Sequence, residues 1–153
     1  MKQHVVKTAS SFLPTQFGSF ELSIYTGKDH REHAVLFKKG RATEPMLVRI
    51  HSQCVTGDTL LSLKCDCREQ LHGSMKRIQN NGSGVIIYLN QEGRGIGLTN
   101  KIKAYRLQEQ GLDTVEANRA LHLPIDARDY RIAAEILRDL GIKHINLITN
   151  NPN

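Results

Sequence analysis

Apolar and polar positions alternate with a period of two early in the chain. Phe20, Leu22 and Ile24 alternate with Glu21 and Ser23, which predicts a strand with one face covered. His33-Ala-Val-Leu-Phe-Lys38 predicts another strand, and Thr26-Gly-Lys-Asp-His30 reads as the turn-like break between them. Residues 1–48 as a whole predict short strands. His4, His30 and His33 have no evident partner and are expected at the surface. Pro45 to His51 predicts a strand, followed by a loop at Thr56-Gly-Asp-Thr59 in which Asp58 is expected to cap rather than to bind magnesium.

From Arg68 the period changes. Leu71, Met75 and Ile78 fall at i, i+4 and i+7, a helix that Asn80-Asn-Gly-Ser-Gly84 ends. Gly84 to Asn90 is continuously apolar and predicts a buried strand. Leu98, Ile102 and Tyr105 repeat at helical spacing up to Gly111, with Tyr105 on the apolar face. Asp113 to Asn118 opens a short helical segment. Ile132, Ile136, Leu137 and Leu140 form the apolar face of a last helix, which Gly141 stops, and Ile145 to Thr149 is a last strand. The pattern predicts a mixed α/β (α+β) fold, strand-rich at its N-terminal end, with helices covering a mixed sheet. No repeat, low-complexity tract or linker interrupts it, so residues 1–153 are expected to form one domain.

Composition narrows the classes. Hydrophobic residues at 39% and charged residues at 24% describe a soluble globular chain. No apolar run reaches membrane-span length and the N-terminus lacks a signal-peptide core, so no membrane partner is expected. Unpaired cysteines then favour the cytoplasm. The net charge of +6 suits either nucleic acid or a small polyphosphate. Basic residues are dispersed and aromatics are only 5%, so no nucleic-acid partner is expected.

Every cysteine lies in one short segment, with Cys54, Cys65 and Cys67 spaced C-x10-C-x-C. An odd count argues against a disulfide framework. A Cys-x-Cys pair on a strand would point to opposite faces, so a turn must bring these two sulfurs together. Thiolates suit zinc. Spacing alone leaves open a closed structural site completed by His51 and a three-ligand catalytic site with a free fourth position. Between the apolar strand and the next helix lies Gln91-Glu-Gly-Arg-Gly-Ile-Gly97. Strand, glycine-rich loop and helix form a common frame for phosphate, and Arg94, Lys101 and Lys103 stand nearby.

The segments H-S-Q-C-V-T-G-D, K-C-D-C, Q-E-G-R-G-I-G-L, N-K-I-K-A-Y, D-T-V-E-A-N and D-A-R-D-Y follow in order. In sequence and spacing the chain resembles GTP cyclohydrolase II over nearly its whole length. The resemblance implies hydrolysis of GTP to formate, pyrophosphate and 2,5-diamino-6-ribosylamino-4(3H)-pyrimidinone 5′-phosphate, the first step of riboflavin synthesis. It implies one zinc per subunit, magnesium with the substrate triphosphate, and a homodimer. Carried over by position, Cys54, Cys65 and Cys67 hold the zinc and His51 is not a ligand. Arg49, Ile50, His51, Ser52, Gln53, Gln70, Glu92, Gly93, Arg94, Thr114 and Thr149 touch the nucleotide. Tyr105 does acid–base or water-orienting work. Asp126 is the proton acceptor and Arg128 the nucleophile.

Two of these roles have chemical rivals. A guanidinium stays protonated, so Arg128 is equally readable as a charge neutraliser, and Asp126 as an N-cap of the following helix. Glu92 is expected to accept from guanine N1–H and the exocyclic amine, and so to select GTP over ATP. The chain departs from the family pattern at Gln53 (usually Glu), Arg68 (Gly), Asn90 (Arg) and His122 (often Gly). A C-terminal segment that begins with a lysine ordinarily follows Asn150-Asn-Pro-Asn153, and it is absent or not covered here. The rival functions are a divergent paralogue that releases pyrophosphate only and a non-catalytic GTP- or zinc-binding regulatory module.

Overall fold

The computed structural model describes residues 5–41 and 44–151, so His4 lies outside the described residues. Two strands open the fold: β1 (Val5–Thr15) and β2 (Gly18–Gly27) form an antiparallel hairpin. At 11 and 10 residues they are longer than the short strands expected. Most of β1 is exposed, so apolar alternation does not mark it; cross-strand pairing extends it instead. Gly18 closes the hairpin at φ +111°, a conformation side chains rarely adopt, and its carbonyl accepts from Thr15 Oγ1 at 2.6 Å.

The remaining strands are β3 (Glu32–Lys38), β4 (Met46–Ser52), β5 (Gly84–Leu89) and β6 (Ile145–Leu147). The helices are α1 (Cys67–Asn81), α2 (Leu98–Glu109), α3 (Thr114–Ala120) and α4 (Arg131–Asp139). The strands form one mixed sheet in the order β1-β2-β3-β5-β4-β6. β1, β2, β3 and β5 are antiparallel neighbours, whereas β5, β4 and β6 run parallel, with α1 crossing between β4 and β5. Gly82 ends α1 in the left-handed conformation at φ 82°. Asp113 caps α3 reciprocally with Glu116.

Both faces of the sheet are covered. Met75 and Ile78 of α1 pack on Phe20, Leu47 and Ile86. Ala133, Ile136 and Leu137 of α4 pack on Val5, Tyr25, Val35, Val48, Val85, Ile87 and Leu89. Fully burying a side chain such as Ile78 or Ile136 contributes about 1.5–3 kcal/mol. This double cover corrects the half-buried reading of β2: Phe20 faces α1, but Ser23 and Tyr25 on the other face are buried more fully than Leu22 or Ile24. Tyr25 reaches through the core to donate its hydroxyl to Asp139 at 2.6 Å.

Two expectations fail here for physical reasons. His30 is exposed, but His33 is fully buried, and its Nδ1 accepts the Asn90 N–H at 3.1 Å. Burial holds His33 below the ordinary histidine pKa. In α2 the buried residues are Lys101 and Ala104, whereas Leu98 and Ile102 are exposed. The helix borders a cation-lined cavity rather than the core, so its apolar spacing does not mark its inner face.

Candidate active site

The parallel strands β4, β5 and β6 end at the same edge, where open α/β sheets present ligand sites. Side chains alternate along β4, so Arg49 and His51 share the α1 face with the core residue Leu47. Arg49 is buried. Its Nη2 donates to Gln70 Oε1 of α1 at 2.7 Å, and its Nη1 to the Ile148 carbonyl at 3.3 Å and Asn150 Oδ1 at 3.2 Å. His51 stands 3.4 Å from Arg49 Nη2 through Nδ1 and 3.2 Å from Asp58 Oδ1 through Nε2. Asp58 Oδ2 accepts from the Tyr88 hydroxyl at 2.7 Å and the Cys54 N–H at 3.0 Å. Burial pushes the Asp58 carboxyl up, but the His51 and Tyr88 hydrogen bonds outweigh it and hold its pKa below the usual range. Asp58 is not the N-cap the sequence predicts: it lies inside the Val55–Thr59 turn, reaches back to the Cys54 N–H, and anchors His51.

Beyond β4 the chain winds through a wide helical turn, Val55–Thr59, and returns to start α1 at Cys67. That helix start is the turn the C-x-C spacing required. The Sγ atoms of Cys54, Cys65 and Cys67 all lie within 4.8 Å of one another, and those of Cys54 and Cys65 are 3.7 Å apart. Burial and the neighbouring thiols push Cys67 up. Cys54 is also raised by burial, but hydrogen bonds from Thr56 and Lys101 bring it below the ordinary thiol pKa. Negative charge at one sulfur therefore opposes charge at the next, a repulsion that a soft divalent cation relieves. His51 is committed to Asp58 and Arg49 and is not part of the cluster, so the donor set is three sulfurs, which fits zinc with one position left to solvent or ligand.

Gly57 completes the cradle. A Cβ there would stand 2.6 Å from Cys65 Sγ and 3.2 Å from Cys54 Sγ. Gly57→Ala is expected to cut zinc per chain by more than about tenfold, measured by metal analysis after dialysis. Wild-type zinc content in that variant would show that the sulfurs can spread without loss.

Glu92 does not line the main cavity. Its Oε2 accepts the Val55 N–H at 2.7 Å; its Oε1 accepts the Gly93 N–H at 2.9 Å and Lys101 Nζ at 2.8 Å. Both oxygens are thus used inside the fold. Lys101 Nζ also stands 3.1 Å from Cys54 Sγ and 5.8 Å from the Tyr105 ring centroid. Burial works against its charge, but Glu92 and Cys54 outweigh that and raise its pKa above the usual lysine value. The pair ties the glycine loop, α2 and the first cysteine together.

Asp126 and Arg128 form a fork pair on the segment after α3. Arg128 Nε lies 2.9 and 3.0 Å from the two Asp126 oxygens, and Nη2 contacts Oδ2. This pairing lowers the Asp126 pKa and raises that of Arg128. Asp126 is not the helix cap: α4 begins at Arg131, whose N–H is taken by Asp129 Oδ1 at 2.9 Å. Asp126 instead accepts the Arg128 N–H at 3.0 Å.

A cavity of about 1000 Å³ joins these parts. It is lined by Arg49, Ile50, His51, Ser52, Gln53, all three cysteines, Gln70, Gly93, Arg94, Tyr105, Thr114, Arg128 and Thr149. Asp126 and Glu92 are the expected site residues that do not line it. Lys64 lies 5.0 Å from the Tyr105 ring centroid, so two ammonium groups flank that ring. Tyr88 and the buried, cavity-lining Asn118 have no role assigned on sequence, and sequence marks Lys101 only as a cation near the phosphate frame. A lysine on the inner side of an otherwise apolar-spaced helix was the available signal for Lys101. Of the departures, Arg68 pairs with Glu69 Oε1 at 2.9 Å and does not line the cavity. His122 has φ +54°, which explains why glycine suits that position.

The GTP cyclohydrolase II family profile matches residues 6–153. The riboflavin biosynthesis protein RibBA of Bacillus cytotoxicus is 53% identical over 150 residues, covering 97% of this chain and 38% of that protein. GTP cyclohydrolase-2 of Neisseria meningitidis is 51% identical over 156 residues, covering 99% of this chain and 78% of that one. The chain thus spans under two fifths of the RibBA relatives it matches. In fold it is similar to the crystal structure of RibBX, a two-domain 3,4-dihydroxy-2-butanone 4-phosphate synthase from A. baumannii. The TM-score is 0.50 at 23% identity, covering 98% of this chain and 35% of that one. Three sulfurs and a cation-rich cavity at a sheet edge, joined to a profile match along almost the whole chain, make this protein a member of the GTP cyclohydrolase II family.

Proposed function

We propose that this chain, as one domain, hydrolyses GTP to formate, pyrophosphate and 2,5-diamino-6-ribosylamino-4(3H)-pyrimidinone 5′-phosphate for riboflavin synthesis. The observation that carries this reading is the shared cavity: three converging sulfurs and the Arg49, Arg94 and Arg128 side chains open onto one space of about 1000 Å³. Cys54, Cys65 and Cys67 would hold a zinc ion, which would supply Lewis acidity for adding water at the imidazole carbon of guanine. Magnesium arrives with the triphosphate. The protein acts as a cytoplasmic homodimer.

The chain's own residues do the rest. Arg49, held from behind by Gln70 and His51, binds phosphate, as does Arg94. Ile50, Ser52, Gln53, Gly93, Thr114 and Thr149 frame the nucleotide. Tyr105 moves a proton or orients water beside the opening ring. Arg128 neutralises charge on the α-phosphoryl group as pyrophosphate leaves. Its fork pair with Asp126 keeps the guanidinium protonated, which favours this role over direct attack. Asp126 aims Arg128.

Glu92 acts through Lys101 rather than on the base. Glu92→Gln is expected to leave GTP-over-ATP preference within about twofold. It is expected to lower stability by about 3 kcal/mol in urea unfolding, because a buried ammonium loses its counter-charge. A collapse of nucleotide preference at unchanged stability would return Glu92 to base recognition. The function itself is tested by incubating the zinc-loaded protein with GTP and magnesium and quantifying formate and pyrophosphate. Equal amounts support the reading. Pyrophosphate without formate supports the pyrophosphate-only paralogue, and binding without either product supports the regulatory module.

A further inference from the structure

The segment 126–130 has no regular secondary structure, yet it carries Arg128. Three of its hydrogen bonds go to the glycine loop. Gln91 Nε2 donates to the Asp129 carbonyl at 2.7 Å, and the Asp129 N–H donates to Gln91 Oε1 at 3.3 Å. The Ala127 N–H donates to the Arg94 carbonyl at 2.8 Å. Gly95 makes this approach possible: a Cβ there would stand 2.7 Å from the Ala127 carbonyl oxygen, and its φ is +90°. Gln91 is only 4% exposed and does not line the main cavity, so both ends of its carboxamide serve this joint.

Arg94 and Arg128 sit on opposite sides of the joint and both open onto the cavity. We propose that Gln91 is a positioning residue: its carboxamide, with Gly95 packed on Ala127, sets the spacing between the Arg94 and Arg128 guanidinium groups and so their aim at a triphosphate. The inference rests on the phosphoryl-cleavage reading above. Two cations that must meet adjacent phosphates tolerate little relative drift, since a misplacement near 1 Å can cost about 100-fold in rate. A loop with no helix or strand of its own has to borrow its rigidity, and here it borrows it from the loop that carries the other cation.

The test uses Gln91→Met in the zinc-loaded full chain, because methionine keeps the volume and loses both hydrogen bonds. Its kcat for pyrophosphate release is expected to fall about 10- to 100-fold, with KM for GTP within about threefold and zinc content unchanged. Amide hydrogen exchange at Ala127 and Asp129 should accelerate in the variant while exchange in the sheet does not. Gly95→Ala should move the same amides and the same rate. A Gln91→Met protein with wild-type kcat overturns the inference, as does one whose kcat falls only in step with lost zinc. If the wild type releases no pyrophosphate, the function reading fails. The exchange data then decide the joint by themselves: unchanged Ala127 and Asp129 protection in Gln91→Met overturns it.

Discussion

Cys67→Ser is expected to remove zinc from the protein and to abolish formate release. Cys67 holds the start of α1, where the returning chain brings two sulfurs to one side, and it lies within 4.8 Å of the other thiols. Serine keeps the shape but offers a neutral, hard hydroxyl in place of a soft thiolate. Structural zinc sites are worth about 10–16 kcal/mol of apparent binding free energy, so loss of one ligand of three moves affinity by orders of magnitude. The fold itself is expected to persist, because the clusters beneath α1 and α4 do not depend on the sulfurs. Pyrophosphate release, which we propose draws on Arg94 and Arg128, should fall far less than formate release. Metal analysis, circular dichroism and product quantification on one preparation check all three points. Retained zinc with lost formate would mean that Cys67 acts on the substrate rather than on the metal.

Arg128→Ala is expected to cut pyrophosphate release by about 100- to 1000-fold, the usual loss when one preorganised charge partner of a transition state is deleted. Arg128 reaches the cavity from a fork in which Asp126 fixes both its position and its charge. Lysine at this position offers charge without the fork, so Arg128→Lys should recover only part of the rate. A charge neutraliser leaves no covalent trace. Rapid quench followed by mass spectrometry is therefore expected to find no guanylyl group on the protein, and a trapped adduct on Arg128 would restore the nucleophile reading.

The parts of this site that sequence made legible are those where covalent spacing forces geometry. Cys65 and Cys67 had to meet through a turn, and they do so at a helix start. The glycine loop had to follow the apolar run of β5, and it does. Gly82 as a helix stop was readable because that role acts over a few residues. The parts that stayed hidden depend on contacts between distant segments. Nothing local says that Glu92 and Lys101 pair with each other and with the first cysteine, or that Gln91 holds Asp129. The apolar spacing of Leu98, Ile102 and Tyr105 pointed to the wrong face of α2 because that helix borders a cation-lined cavity. His33 looked like a surface histidine because the N–H that its Nδ1 accepts comes from Asn90, just past β5, which sequence cannot place beside it.

The central claim is that the sulfur cluster and the cationic loops serve one reaction on one nucleotide. It is tested most directly with GTP carrying carbon-13 at the guanine C8, followed by NMR with the zinc- and magnesium-supplemented protein. The account predicts that the label leaves the purine as free formate in step with pyrophosphate. Label that remains in an intact guanine ring while GTP is consumed would contradict it.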